Sequence, residues 1–174
     1  MFFFNISFIR TFMKKTNSIL FSLLLTIAFS ATAFAADFPT GPELSVTPGK
    51  LCDQPTGTRY PENIAYCTRD VTYDTKEILM KEYDQKFDYH IMAMARTDFK
   101  IDHLIPLCAG GSNDITNLWP QHKSVYAITD PIEPAICNKM EQGKLKQADA
   151  VRLVLQAKTH LDQAPAIIQQ VNSL

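Results

Sequence analysis

Residues 102–122 read DHLIPLCAGGSNDITNLWPQH, and this run leaves the backbone around it little freedom. Upstream, residues 99–107 (FKIDHLIPL) alternate and carry β-branched Ile101 and Ile105, the pattern of a strand running into a bend at Pro106. Gly110-Gly111-Ser112-Asn113-Asp114 is a turn signal, and residues 115–119 return as a short strand that stops at Pro120. The spacing predicts a hairpin whose strands are joined by a bent loop. A helix is expected from about His122, interrupted by Pro131 and Pro134.

The first 35 residues do not read as part of the fold. From Met13 the chain runs MKKTNSILFSLLLTIAFSATAFA: Lys14 and Lys15 precede an apolar stretch over 19–29, and Ala33-Phe34-Ala35 is a small-x-small cleavage site. Residues 1–12 stand ahead of this leader and read as a misassigned start. The apolar stretch falls short of the roughly 20 residues a membrane span requires, so the expectation is an exported chain, periplasmic or secreted, with no stable membrane association after cleavage. All four cysteines (Cys52, Cys67, Cys108, Cys137) lie beyond the leader, and an even count in an oxidising compartment points to two disulfides. Three pairings are open; Cys52–Cys67 with Cys108–Cys137 is preferred because each closes a local loop. A four-thiolate zinc site is the rival, but no C-x-x-C pair is present.

Without the leader, residues 36–174 hold 14 Lys+Arg against 18 Asp+Glu, a net charge of −4. Bulk electrostatics of that sign do not attract a polyanion, so grip on nucleic acid would have to come from a local basic rim. Residues 36–73 are rich in Pro, Gly and Thr and read as an extended arm carrying Cys52 and Cys67. A helix is expected from about Asp74, with Asp74 or Thr75 as cap and Ile78, Leu79, Tyr83 and Phe87 at helical spacing. A further helix is read over 144–161. Residues 74–162 are taken as one domain, with 163–174 as a tail that is largely helix-compatible, apart from Pro165 near its start, and open to fraying.

A carboxylate beside an imidazole at a strand end can place one group on a metal and the other on a water. Asp102 and His103 form that pair, the Gly-Gly turn brings Asn117 back toward them, and His122 follows at the head of the next helix. The run closely resembles the HNH endonuclease family (His-Me finger, or ββα-metal, nucleases), in the exported branch with the signature D-H-x-x-P-L, G-G, N-L-W-P-Q. The match is tight over 101–122 and looser to about 157, through Glu133, Cys137, Gly143 and Ala148.

That resemblance implies an α+β fold, with a ββα-metal hairpin and helix set in a mainly helical domain tethered to a disulfide-bonded N-terminal arm. It implies a hydrolase that cleaves DNA, and RNA as a second substrate, with low sequence specificity. His103 would act as general base, Asp102 would hold one divalent ion, and Asn117 would orient His103 and help hold the hairpin. Mg²⁺ suits an oxygen-rich site; an added imidazole admits Mn²⁺, Zn²⁺ or Ni²⁺. The chain departs from the pattern at Tyr126, where many relatives carry the final His or Asn. His122 is taken as the replacement ligand, ahead of Asp130 and Glu133. Lys100 and Lys123 flank the motif and are assigned to substrate phosphates, whereas Arg69 and Arg96 are read as solvated. Leu118 and Trp119 read as core, and His90 and His160 as ordinary histidines. The competing function is a catalytically degenerate protein that keeps the scaffold as a binding or structural module. A third class is a disulfide-stabilised exported protein with a non-nucleic partner.

Overall fold

The computed structural model describes residues 36–174; the expected leader lies outside the described residues. The chain forms a mixed α+β fold of two small antiparallel hairpins and five helices among the described residues. Strands β1 (Gly57–Arg59) and β2 (Ile64–Tyr66) make the first hairpin, within the arm whose composition predicts extended chain. Helix α1 (Tyr73–Phe87) follows, then β3 (Phe99–His103) and β4 (Leu118–His122) as the second hairpin. Helices α2 (Lys123–Thr129), α3 (Ile132–Glu141), α4 (Gln147–Thr159) and α5 (Ala164–Asn172) complete the chain. None of these helices is long and apolar enough to cross a membrane.

Local chemistry sets the boundaries. Helix α1 is capped by Thr72 rather than Asp74 or Thr75: the Thr72 hydroxyl accepts from the Thr75 N–H at 3.1 Å, and Asp88 ends the helix in a left-handed conformation at φ 58°. Its outer face carries the pairs Glu77–Lys81 and Glu82–Lys86, while Leu79, Met80 and Tyr83 turn inward. Pro131 stands between α2 and α3, and Pro134 breaks neither helix. Pro134 sits in the first turn of α3, where a backbone N–H has no helical partner to lose.

The β3–β4 hairpin is shifted from the predicted strands. It pairs Phe99 with His122, Asp102 with Trp119 and His103 with Leu118, so β3 ends at His103 instead of continuing to 107. The return strand starts at Leu118 because residues 115–117 form a 3₁₀ turn; the Asp114 carboxylate caps it, accepting from the Thr116 N–H at 2.9 Å and its hydroxyl at 2.7 Å. The hairpin lies between two apolar clusters. One is built by α1 with Phe99, Ile101, Leu118 and Trp119, the other by α3, α4 and α5 with Ile64, Ile105 and Ala109. Leu118 and Trp119 are fully buried, as core residues should be. Ala164, Ile167 and Val171 of α5 are buried against the second cluster, so the helix-compatible tail is docked over Ala164–Asn172.

Two disulfides, Cys52–Cys67 and Cys108–Cys137, hold the fold in the preferred pairing. The arm is tied to the hairpin loop by backbone bonds as well: Cys52 N–H donates to Gly110 O at 2.8 Å, and Ser112 N–H to Lys50 O at 3.0 Å.

Candidate functional site

The loop that joins β3 to β4 is organised around Asn117, which is fully buried. Its Oδ1 accepts from the Ile105 N–H at 2.9 Å, and its Nδ2 donates to Ile105 O at 3.0 Å and Ser112 O at 2.9 Å. Both legs of the loop are thereby stitched together. Gly111 is required where the legs meet, since a Cβ there would run into the Ile105 carbonyl. None of these Asn117 bonds goes to His103. Its observed work is bracing the loop, not orienting the imidazole.

Alternation along β3 sends Asp102 and His103 to opposite faces, and each finds its own partner. Asp102 is buried against Lys158 of α4, whose Nζ stands 2.5 Å from Oδ2 and also donates to His103 O at 2.7 Å. Lys158 is only 2% exposed, so this is an ion pair inside the protein. Burial by itself would push the Asp102 carboxyl up; the ammonium groups of Lys158 and Lys100 overcome this and hold it below the ordinary carboxylate range. Lys100 lies 3.6 Å from Asp102 Oδ1 and 2.5 Å from Asp130 Oδ1. Tyr126 lies under that lysine, its ring centroid 5.0 Å from Nζ. Glu133 faces the same group of charges, and burial raises its carboxyl.

His103 is held by Arg69 and Asn113. Arg69 Nη1 is 3.1 Å from Nδ1, and Asn113 Oδ1 is 3.0 Å from Nε2. A guanidinium only donates, so Nδ1 accepts and the ring proton on Nε2 goes to Asn113, which describes a neutral imidazole. Burial, reinforced by the Arg69 charge, brings its pKa down to about 4. The sign of the consequence follows. Unfolded histidine titrates near 6.5, so below that pH the unfolded chain takes up a proton that the folded one refuses. The stability tied to neutral His103 is complete above about pH 6.5 and is lost as the pH falls toward about 4. Urea unfolding at pH 7 and pH 5 should show a loss of about 2 kcal/mol from this residue. The lowered His122 adds in the same direction and the raised Glu133 opposes it. His103→Gln should flatten most of the dependence; an unchanged slope in that variant would show that His103 is not the group responsible.

His122 is not brought to this site. It pairs with Phe99 at the far end of the hairpin, four residues from His103, or about 13 Å along a strand. There it caps α2 through Ser124, lies flat on Phe38 at 3.9 Å between centroids and meets Phe99 edge-on at 5.2 Å. In this position it serves as a helix cap packed against two aromatic rings, apart from Asp102 and His103. The two flanking lysines also part company, Lys100 joining Asp102 while Lys123 pairs with Asp98 at 2.8 Å.

What the fold does assemble is a cleft of about 480 Å³ lined by Arg69, Lys76, Arg96 and Lys100, together with Asp102 and Glu133. Arg69 and Arg96, read from sequence as solvated, are both in its walls. Arg69 also borders a second cleft of about 590 Å³ on the side of Lys50, Asn113 and Asp114. No sequence signal marked Arg69, Asn113 or Lys158 as partners of the Asp-His pair. Arg69 is positioned by the Cys52–Cys67 bond two residues before it, and Lys158 reaches Asp102 across 56 residues of chain.

Among the described residues, no three His, Cys, Asp or Glu side chains are grouped to hold a metal ion. The residues present do not fit the expected divalent ion: the Asp102 carboxylate is engaged by the Lys158 ammonium, both His103 nitrogens have partners, and His122 is elsewhere. Comparison with family models, curated proteins and solved structures finds no match to this chain.

Proposed function

We propose that this is an exported protein that binds the phosphate backbone of nucleic acid on a hairpin scaffold similar to that of HNH nucleases. The observation that carries the proposal is the convergence of Arg69, Lys76, Arg96 and Lys100 on one cleft in a chain whose net charge beyond the leader is −4. Cations gathered against that overall sign form the local basic rim that a polyanion needs. Backbone contacts position a strand without reading its sequence, so binding has low sequence specificity. The strand–loop–strand–helix order of β3, β4 and α2, with Asp-His at the end of the first strand and Asn117 bracing the loop, supports the family reading. Two disulfides and the leader support export. With Lys158 on Asp102, the protein supplies its own cation at that carboxylate, and the reading is of a binding module.

A metal-dependent nuclease is the second reading, and one observation favours it. His103 is neutral, the state in which an imidazole accepts a proton, and it is adjacent in chain to Asp102. Incubating the oxidised protein with supercoiled plasmid separates the two. The proposal expects retarded but intact plasmid, in chelator and in Mg²⁺ or Mn²⁺ alike. Nicking that depends on metal and disappears in His103→Ala would overturn the binding-module reading in favour of the nuclease.

A further inference from the structure

Next to the cationic cleft lies a smaller groove of about 180 Å³, lined by Tyr73, Glu77, Met80, Ile91, Met92 and Met94 together with Arg96. Arg96 belongs to both sites and is fixed there by donating to Phe99 O at 2.7 Å. Helix α1 joins them too. Tyr73, Glu77 and Met80, at i, i+4 and i+7, share the face that borders the groove, while Lys76 turns into the cationic cleft. Tyr73 is 71% exposed and Met92 46%, unusual outlay of apolar surface beside a charged cleft. The one acid in the groove, Glu77, is held by Lys81 at 2.6 Å, so no unpaired carboxylate stands there against an anion.

We propose that this groove takes one base of a single-stranded nucleic acid, stacked on Tyr73, while the adjoining phosphate sits on Arg96 and Lys76. The inference rests on the phosphate-binding reading above and adds the substrate class. Three features select this occupant. The volume is below that of a pocket for a larger organic ligand and suits one planar ring system. An aromatic face with polarisable thioethers around it is a stacking platform. Continuity through Arg96 puts a cation in the wall of the same groove, where the phosphate joined to a bound base can meet it. In a duplex both faces of each base are covered by their neighbours, so only a single strand can enter.

The test compares an oligothymidylate, an abasic strand of equal length and a blunt duplex, each labelled, by fluorescence anisotropy with the oxidised protein in chelator. The oligothymidylate should bind roughly tenfold tighter than the abasic strand. Tyr73→Ala should bring it down to the abasic level and leave the abasic strand unchanged; Tyr73→Phe should keep the preference. The exposure of Tyr73 makes these variants compatible with folding, which circular dichroism checks. Equal affinity for base-bearing and abasic strands, or a preference untouched by Tyr73→Ala, would overturn the base site while leaving the phosphate cleft standing. A change in self-association on Tyr73→Ala without loss of the preference would likewise overturn it and assign the face to protein contact. Failure of every strand to bind would overturn both this inference and the reading beneath it.

Discussion

Lys158→Ala is expected to lower the free energy of unfolding by about 3–5 kcal/mol, the cost of stripping one partner from a buried ion pair. The ammonium is almost wholly enclosed, and it satisfies both Asp102 Oδ2 and the His103 carbonyl. Removing it leaves a largely buried carboxylate with only Lys100 nearby, 3.6 Å from its other oxygen, and a buried carbonyl without that donor. Against a total stability of about 5–15 kcal/mol for a domain, the loss is a large share. Urea unfolding of the oxidised protein at pH 7 gives the number. A variant that keeps the volume but deletes both charges, Asp102→Leu with Lys158→Met, should recover most of it, because the penalty belongs to the unpaired charge rather than to the missing bond. A loss below about 1 kcal/mol in Lys158→Ala would instead be the signature of an exposed pair.

The second large effect is on binding. Lys76→Glu combined with Arg96→Gln should weaken affinity for a single strand roughly 100-fold. Two charge-assisted contacts at about 1.5–3 kcal/mol each, with about 1.4 kcal/mol per factor of ten, give at least that much. Lys76 is half-buried on α1, on the same stripe as Leu79, Met80 and Tyr83, and Arg96→Gln loses the bond to Phe99 O, so the unfolding free energy is measured alongside. Lys123→Glu is the control. That lysine pairs with Asp98 and does not line the cleft, so its effect on binding should be small even though it flanks the motif. An equal loss in Lys123→Glu would mean that general surface charge, and not the cleft, determines affinity.

Much of this architecture is legible in the sequence where the signal is local. The Gly-Gly turn, the alternation of 99–103 and the helical periodicities of α1 and α4 depend on neighbours within a few residues, and the hairpin and helices follow them. The cysteine pairing was also within reach, since each bond closes a short loop. The strand limits were not, because Asn117 and Asp114 turn the chain at both ends with side-chain bonds that compete with β pairing. The partners of Asp102 and His103 were hidden for a different reason. Lys158 sits among the apolar positions of α4, where a lysine reads as an outward-facing residue, and only tertiary packing reveals that it points inward to a carboxylate. Proximity in sequence was misleading for His122. It ends the return strand, and antiparallel pairing carries it away from His103 with every residue.

That geometry assigns the proposed binding to the local cations rather than to a bound divalent ion. The direct measurement is the affinity of the oxidised protein for a labelled single strand in chelator, followed across a series of salt concentrations. If the four cleft cations engage three to four phosphates, log K should fall linearly with log salt at a slope of about −2 to −3. Binding that is absent in chelator and appears only when a divalent metal is added, or an affinity indifferent to salt, would contradict binding by the cleft cations.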